Sequence, residues 1–90
     1  MPGRKYKVGF TDSALEDIED LPVVEYERIV RGCLRLETNP MPDGKHIKKL
    51  KGYVNLYRLR IGDYRVVFEW KSGTVTVIRV LTRQNFGKKY

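Results

Sequence analysis

The spacing of hydrophobic and polar positions changes period several times along this 90-residue chain. Tyr6-Lys7-Val8-Gly9-Phe10 alternates apolar and polar, the two-residue repeat of a short strand. Ala14, Leu15, Ile18 and Leu21 then recur at helical spacing, with acidic side chains on the other face. Ser13 and Glu16 stand at the capping-box interval and predict the start of that helix. Pro22 interrupts the stripe and suits the beginning of a second helix. Tyr26, Ile29, Val30, Cys33 and Leu36 carry this helix to about Glu37. Gly32 inside it costs ~1 kcal/mol relative to alanine, which marks a point of close packing. Residues 38–44 are turn and loop chemistry, and residues 45–52 read as a short basic connector. Three β-type runs follow, at 54–61, 64–70 and 75–82, punctuated by Gly62-Asp63 and Ser72-Gly73. Residues 83–90 show no period and read as an ordered or half-ordered tail. The whole predicts one α+β domain over residues 1–90: an N-terminal strand, then a two-helix hairpin packed on a small antiparallel sheet.

Strand alternation assigns faces. Tyr57, Leu59 and Ile61 share one face of the first run, and Arg58 and Arg60 the other. Tyr64, Val66, Phe68 and Trp70 oppose Arg65, Val67 and Glu69 on the second. The apolar sets belong against the helices, so the arginines face away from them. A two-residue turn at Gly62-Asp63 pairs Ile61 with Tyr64 and sets Arg60 opposite Arg65. Like charges placed so are unfavourable, with cross-strand effects of about 0.2–1 kcal/mol, and the arrangement implies a bound anion. Arg79 and Arg83 join this face if Ile78 and Val80 point to the core, which requires an odd-length loop or a bulge near residues 71–74.

Charge sharpens this picture. Residues 1–44 hold six basic and nine acidic side chains, residues 45–90 twelve and two, within a net charge of +7. A basic excess concentrated in one half points to a polyanion, with nucleic acid first. Lys45, Lys48, Lys49 and Lys51 add candidate phosphate contacts, as does Arg79. The single Cys33 excludes an internal disulfide and fits a reducing, cytoplasmic setting. No apolar run approaches the ~20 residues of a membrane helix, and the charged start of the chain does not read as a signal peptide. His46 has no partner at metal-ligand spacing and reads as a surface residue; no metal or cofactor is expected.

Leu50-Lys51-Gly52 followed by Leu56-Tyr57-Arg58-Leu59-Arg60-Ile61-Gly62-Asp63-Tyr64-Arg65 resembles the RelE/ParE superfamily of type II toxins. Leu21-Pro22 and Asn39-Pro40 extend the resemblance over nearly the whole chain. It implies a fold like that of microbial ribonucleases and a cognate RelB-like antitoxin as partner. In the RelE branch it further implies cleavage of mRNA in the ribosomal A site, the 2′-hydroxyl attacking the adjacent phosphate. Carried over, the catalytic set is Arg58, Arg60, Arg65 and Arg83, with Tyr90 matching a C-terminal tyrosine through a small insertion. RelE toxins often have lysine at the first two of these positions. The arginines here leave the general acid and base open, because a guanidinium barely exchanges its proton. ParE toxins share the fold, act on DNA gyrase and generally lack this basic set. Gyrase inhibition without cleavage, or a binding-only role, is therefore the alternative function.

Overall fold

The computed structural model describes residues 5–90. Residues 1–4, half of the charged start, lie outside the described residues. Strand β1 (Lys7–Phe10) leads into helices α1 (Asp12–Glu19) and α2 (Val23–Leu34), which tightens into a 3₁₀ turn at Arg35–Glu37. Strands β2 (Ile47–Lys49), β3 (Leu56–Ile61), β4 (Tyr64–Lys71) and β5 (Thr74–Thr82) follow, and helix α3 (Arg83–Lys89) closes the chain. The five strands form one sheet in the order β1-β5-β4-β3-β2.

Burial of the two helical stripes builds the core. Ala14 and Ile18 of α1, and Ile29, Cys33 and Leu36, meet Ile47, Leu59, Val66, Phe68, Val75, Val77 and Val80 of the sheet. Tyr57, Phe68 and Trp70 form an aromatic cluster on this face, with rings 5.5–5.8 Å apart. Gly32 is the close approach its position suggested: a Cβ there would stand 2.5 Å from Ile61 Cδ1.

The structure corrects the sequence reading at five places. The sheet is mixed, because β1 runs parallel to β5, from Lys7 opposite Thr74 to Phe10 opposite Val77. Periodicity assigns faces but not strand direction, so this was not legible. Helix α1 is capped by Thr11 rather than Ser13. The Thr11 hydroxyl accepts from the Ala14 amide at 3.1 Å and donates to the Ile78 carbonyl at 2.8 Å, a tertiary bond that favours the earlier start. The basic connector contains strand β2, paired with β3 from Ile47–Leu59 to Lys49–Tyr57. The Ser72-Gly73 turn is a strict two-residue turn, with Lys71 opposite Thr74. The register shift lies instead at Ile78: Val67 faces Arg79 and Phe68 faces Val77. Finally, the tail is helical. Thr82, in extended conformation, accepts from the Asn85 amide at 3.1 Å and starts α3, and Lys88 and Lys89 favour its C-terminal end.

Helix α3 packs against β4 and β5. Val67 and Leu81 are buried although they alternate away from the main core, so α3 covers them on the second face of the sheet. The arginine-bearing face is thus half covered, on its β4–β5 side.

Candidate functional site: an arginine cluster on the second face

The β3–β4 hairpin has the register expected of its turn, with Ile61 opposite Tyr64 and Arg60 opposite Arg65. Gly62 takes a φ of 56°, a left-handed conformation that glycine adopts freely. The two arginines are held differently. Arg65 is half-buried, and its Nη1 donates to the carbonyls of Gly62 and Tyr64, both at 3.0 Å. Arg60 is exposed, and among the described residues its guanidinium makes no hydrogen bond. On the same strand face, Arg58 is half-buried and donates from Nη1 to the His46 carbonyl at 3.2 Å. Arg83 opens α3, and its amide donates to the Asp63 carbonyl at 2.8 Å, which ties the helix to the hairpin turn.

These four guanidiniums influence one another. Arg65 is held below the ordinary arginine range by partial burial and by the charges of Arg58, Arg60 and Arg83, against an opposing pull from Asp63. Arg58 is lowered by partial burial and by Arg60, with Asp43 opposing. Among the described residues none of the four forms an ion pair within 4 Å. A cluster of like charges without carboxylate partners is relieved by an anion. The guanidinium fork suits phosphate, which it can bind through two parallel hydrogen bonds.

Arg79 does not join them. It lies opposite Val67 on the expected face, but its side chain turns to α1. Nε and Nη2 donate to the Asp17 carboxylate at 2.8 and 3.1 Å, and this bond raises its pKa. The same carboxylate accepts from the Val80 amide at 2.8 Å, so it seals the edge of β5 beside the irregularity at Ile78. Arg79 is therefore part of the framework, its guanidinium engaged by Asp17 and not turned to the arginine cluster as the sequence suggested. The lysines divide as well. Lys48 lies opposite Arg58 and shares its face, whereas Lys49 lies opposite Tyr57 on the other. Lys45 and Lys51 are exposed in the flanking segments.

Tyr90 packs at the end of α3. It is half-buried, its amide donates to the Phe86 carbonyl at 2.8 Å, and its ring lies 5.4 Å from Phe86 and 5.6 Å from Tyr53. The sequence reading missed Tyr53. Its one signal is an aromatic residue next to Gly52, whose φ is 83°. Also missed were Arg28, Arg31 and Arg35, exposed along one side of α2 and its 3₁₀ extension. Their signal is the spacing i, i+3, i+7.

His46 is exposed, with its Nδ1 3.6 Å from Asp43. Asp43 accepts from the amides of Lys45, His46 and Ile47, which hold its carboxyl well below the usual range. Burial pushes the Cys33 thiol up to about 12, so it behaves as a small core side chain. Among the described residues, no three His, Cys, Asp or Glu side chains gather to hold a metal ion, and no helix is long and apolar enough to cross a membrane.

The geometry invites comparison with known proteins. Residues 8–85 match the family of ParE toxins of parDE type II toxin–antitoxin systems. The chain is 36% identical over 83 residues to toxin RelE3 of Methanocaldococcus jannaschii, covering 88% of this chain and 92% of that toxin. It belongs to the RelE/ParE family of type II toxins. Its fold is that of solved RelE toxins. In the RelE–RelB complex of Pyrococcus horikoshii OT3, a chain 31% identical superposes with a TM-score of 0.73 over 88% of this chain and 96% of that one. The RelBE2 toxin–antitoxin complex of Mycobacterium tuberculosis gives 26% identity and a TM-score of 0.76, over 88% and 99%. Those RelE/ParE-family toxins were crystallised with their antitoxins.

Proposed function

We propose that this RelE/ParE toxin is an endoribonuclease that cuts mRNA in the ribosomal A site. The observation that supports this reading is the cluster of Arg58, Arg60, Arg65 and Arg83, without ion-pair partners among the described residues, around a hairpin that sets Arg60 opposite Arg65. In the reaction, the 2′-oxygen attacks the adjacent phosphorus as it loses its proton. A 2′,3′-cyclic phosphate forms, and the 5′-oxygen leaves with a proton. Charge accumulates on the phosphoryl oxygens in the transition state, where preorganised cations are most effective. Arg65, fixed by two carbonyls, and Arg60 opposite it grip that phosphate, and Arg83 adds a third charge. Arg58, tied to the His46 carbonyl, positions the neighbouring backbone. Tyr90 takes a base on its ring, a contact worth about 1–3 kcal/mol on single strands. Arginine exchanges protons poorly, so the ribosome or the RNA supplies part of the proton transfer.

The partner that restrains the toxin is a RelB-like antitoxin, as in the solved relatives. Leu15, Val23, Val24 and Tyr26 are exposed on the helical hairpin, and suit an amphipathic antitoxin segment. The match to the ParE family favours a second reading, inhibition of DNA gyrase without cleavage. The arginine cluster, which has no ion pair among the described residues, favours the nuclease. Primer extension on mRNA in programmed ribosomes separates the two. The nuclease gives breaks within A-site codons that disappear with Arg65→Ala and without ribosomes. Intact mRNA together with inhibited DNA supercoiling establishes the ParE reading instead.

A further inference from the structure

Beyond the arginine cluster, a groove runs between α2 and the β2–β3 side of the sheet. It consists of two adjoining depressions of about 510 and 470 Å³, which share Gly32, Arg35, His46 and Arg60 in their walls. Arg28 and Arg31 complete the wall formed by α2. At i, i+3 and i+7, Arg28, Arg31 and Arg35 fall on one side of the helix and span about 10 Å along it. All three are exposed, and among the described residues none has a carboxylate within 4 Å. Asp43, the one acidic side chain among the described residues that line the groove, already accepts three backbone amides and lies beside His46.

The groove is continuous with the cluster at two points. Arg60 lines both depressions, and its charge also acts on Arg58 and Arg65. Gly62 is the second. Arg65 donates to its carbonyl, while Arg28 lies so close that a Cβ on Gly62 would stand 2.7 Å from Arg28 Nη2. A strand whose phosphate sits between Arg60 and Arg65 therefore has a cationic path leading away along α2. The groove presents no large exposed apolar side chain to a protein segment. Of its apolar residues, Leu36, Ile47 and Leu59 are only 1%, 7% and 7% exposed and Ile61 is half-buried, whereas the large exposed apolar side chains Leu15, Val23 and Val24 do not line it. Protein interfaces depend on such apolar anchors; a nucleic-acid backbone does not.

We propose that the groove lined by Arg28, Arg31, Arg35 and Arg60 binds the phosphates of single-stranded RNA flanking the nucleotide held by the arginine cluster. The choice of RNA as ligand rests on the nuclease reading of that cluster.

The test uses a labelled 12-nucleotide RNA with 2′-methoxy riboses, which lacks the attacking hydroxyl. Its affinity for the full chain is measured by fluorescence anisotropy across a salt series. The variant Arg28→Gln/Arg31→Gln/Arg35→Gln is compared with wild type and with Lys5→Gln/Lys7→Gln/Lys71→Gln, which removes the same charge from exposed positions outside the groove. Thermal melts check that each variant is folded. The groove variant should bind about tenfold or more weakly. Its plot of log affinity against log salt should flatten by about 2, three contacts at ~0.7 each, while the lysine variant stays near wild type. Equal losses in the two variants, no loss in the groove variant, or no binding by wild type overturns the proposal. A polyglutamate peptide that binds wild type and loses affinity only in the groove variant, with RNA affinity unchanged, assigns the groove to an acidic protein and overturns it too. Wild-type binding that depends on the groove, beside intact mRNA in programmed ribosomes, refutes the nuclease reading and leaves the groove standing.

Discussion

Arg65 and Arg79 are residues of one type on one face of one sheet, and different partners hold them. Arg79 is paired with Asp17 through two hydrogen bonds, and Asp17 also accepts from the Val80 amide. Asp17→Ala breaks three hydrogen bonds and leaves a part-buried guanidinium and an amide unsatisfied. We expect a loss of about 2 kcal/mol, read as a lower midpoint in urea. Arg79→Gln should likewise cost stability, with cleavage per folded molecule retained. Arg65→Ala should do the reverse: a melt near that of wild type and loss of A-site cleavage by about 100-fold or more, the usual scale for removing a donor to transition-state charge. The sequence carried the face of both arginines through simple alternation. It did not carry the difference between them, because Asp17 is 62 residues from Arg79 and only the seating of α1 on β5 brings them together.

Among the elements, the β3–β4 hairpin was the most legible. Gly62-Asp63 between alternating runs specifies a two-residue turn, the turn specifies the register, and the register places Arg60 against Arg65. Gly62→Ala forces a Cβ into left-handed backbone and against Arg28. Its expected cost is about 1–2 kcal/mol, a fall in melting temperature of roughly 4–8 °C per kcal/mol for a domain of this size. Helix α3 is the opposite case. Its seven residues have no apolar stripe, and a segment this short is marginal in isolation. It forms because Thr82 caps it, Asp63 accepts from the Arg83 amide, and β4 and β5 present Val67 and Leu81 for it to cover. Thr82→Ala should cost about 1 kcal/mol and speed amide hydrogen exchange in residues 83–90 before the sheet responds.

At the scale of the whole molecule, α1 and α2 are laid on one face of the sheet and the guanidiniums collect around the other and at its edge. Cys33 reports on the first arrangement. Its thiol, pushed up to about 12, should resist iodoacetamide at pH 8 in the folded protein and react readily in denaturant. Between pH 9.0, the ordinary thiol value, and about 12, the unfolded chain releases a proton that the folded chain keeps, so stability should fall as pH rises through that window. Local patterning along the chain already carried the α+β class, the two helical stripes, the hairpin register and the side of the sheet on which Arg58, Arg60 and Arg65 lie. Each follows from residues within one or two turns or strands of each other, where period and turn chemistry act directly. Tertiary structure alone decided that β1 runs parallel to β5, that the register shift falls at Ile78 where Thr11 and Asp17 satisfy the strand edge, and that Arg79 is spent on Asp17. It also decided that Tyr90 packs against Tyr53, and that Arg28, Arg31, Arg35 and Arg60 line one groove. Those pairings join segments far apart in the chain, and no local pattern encodes which distant partner will be present when the core closes.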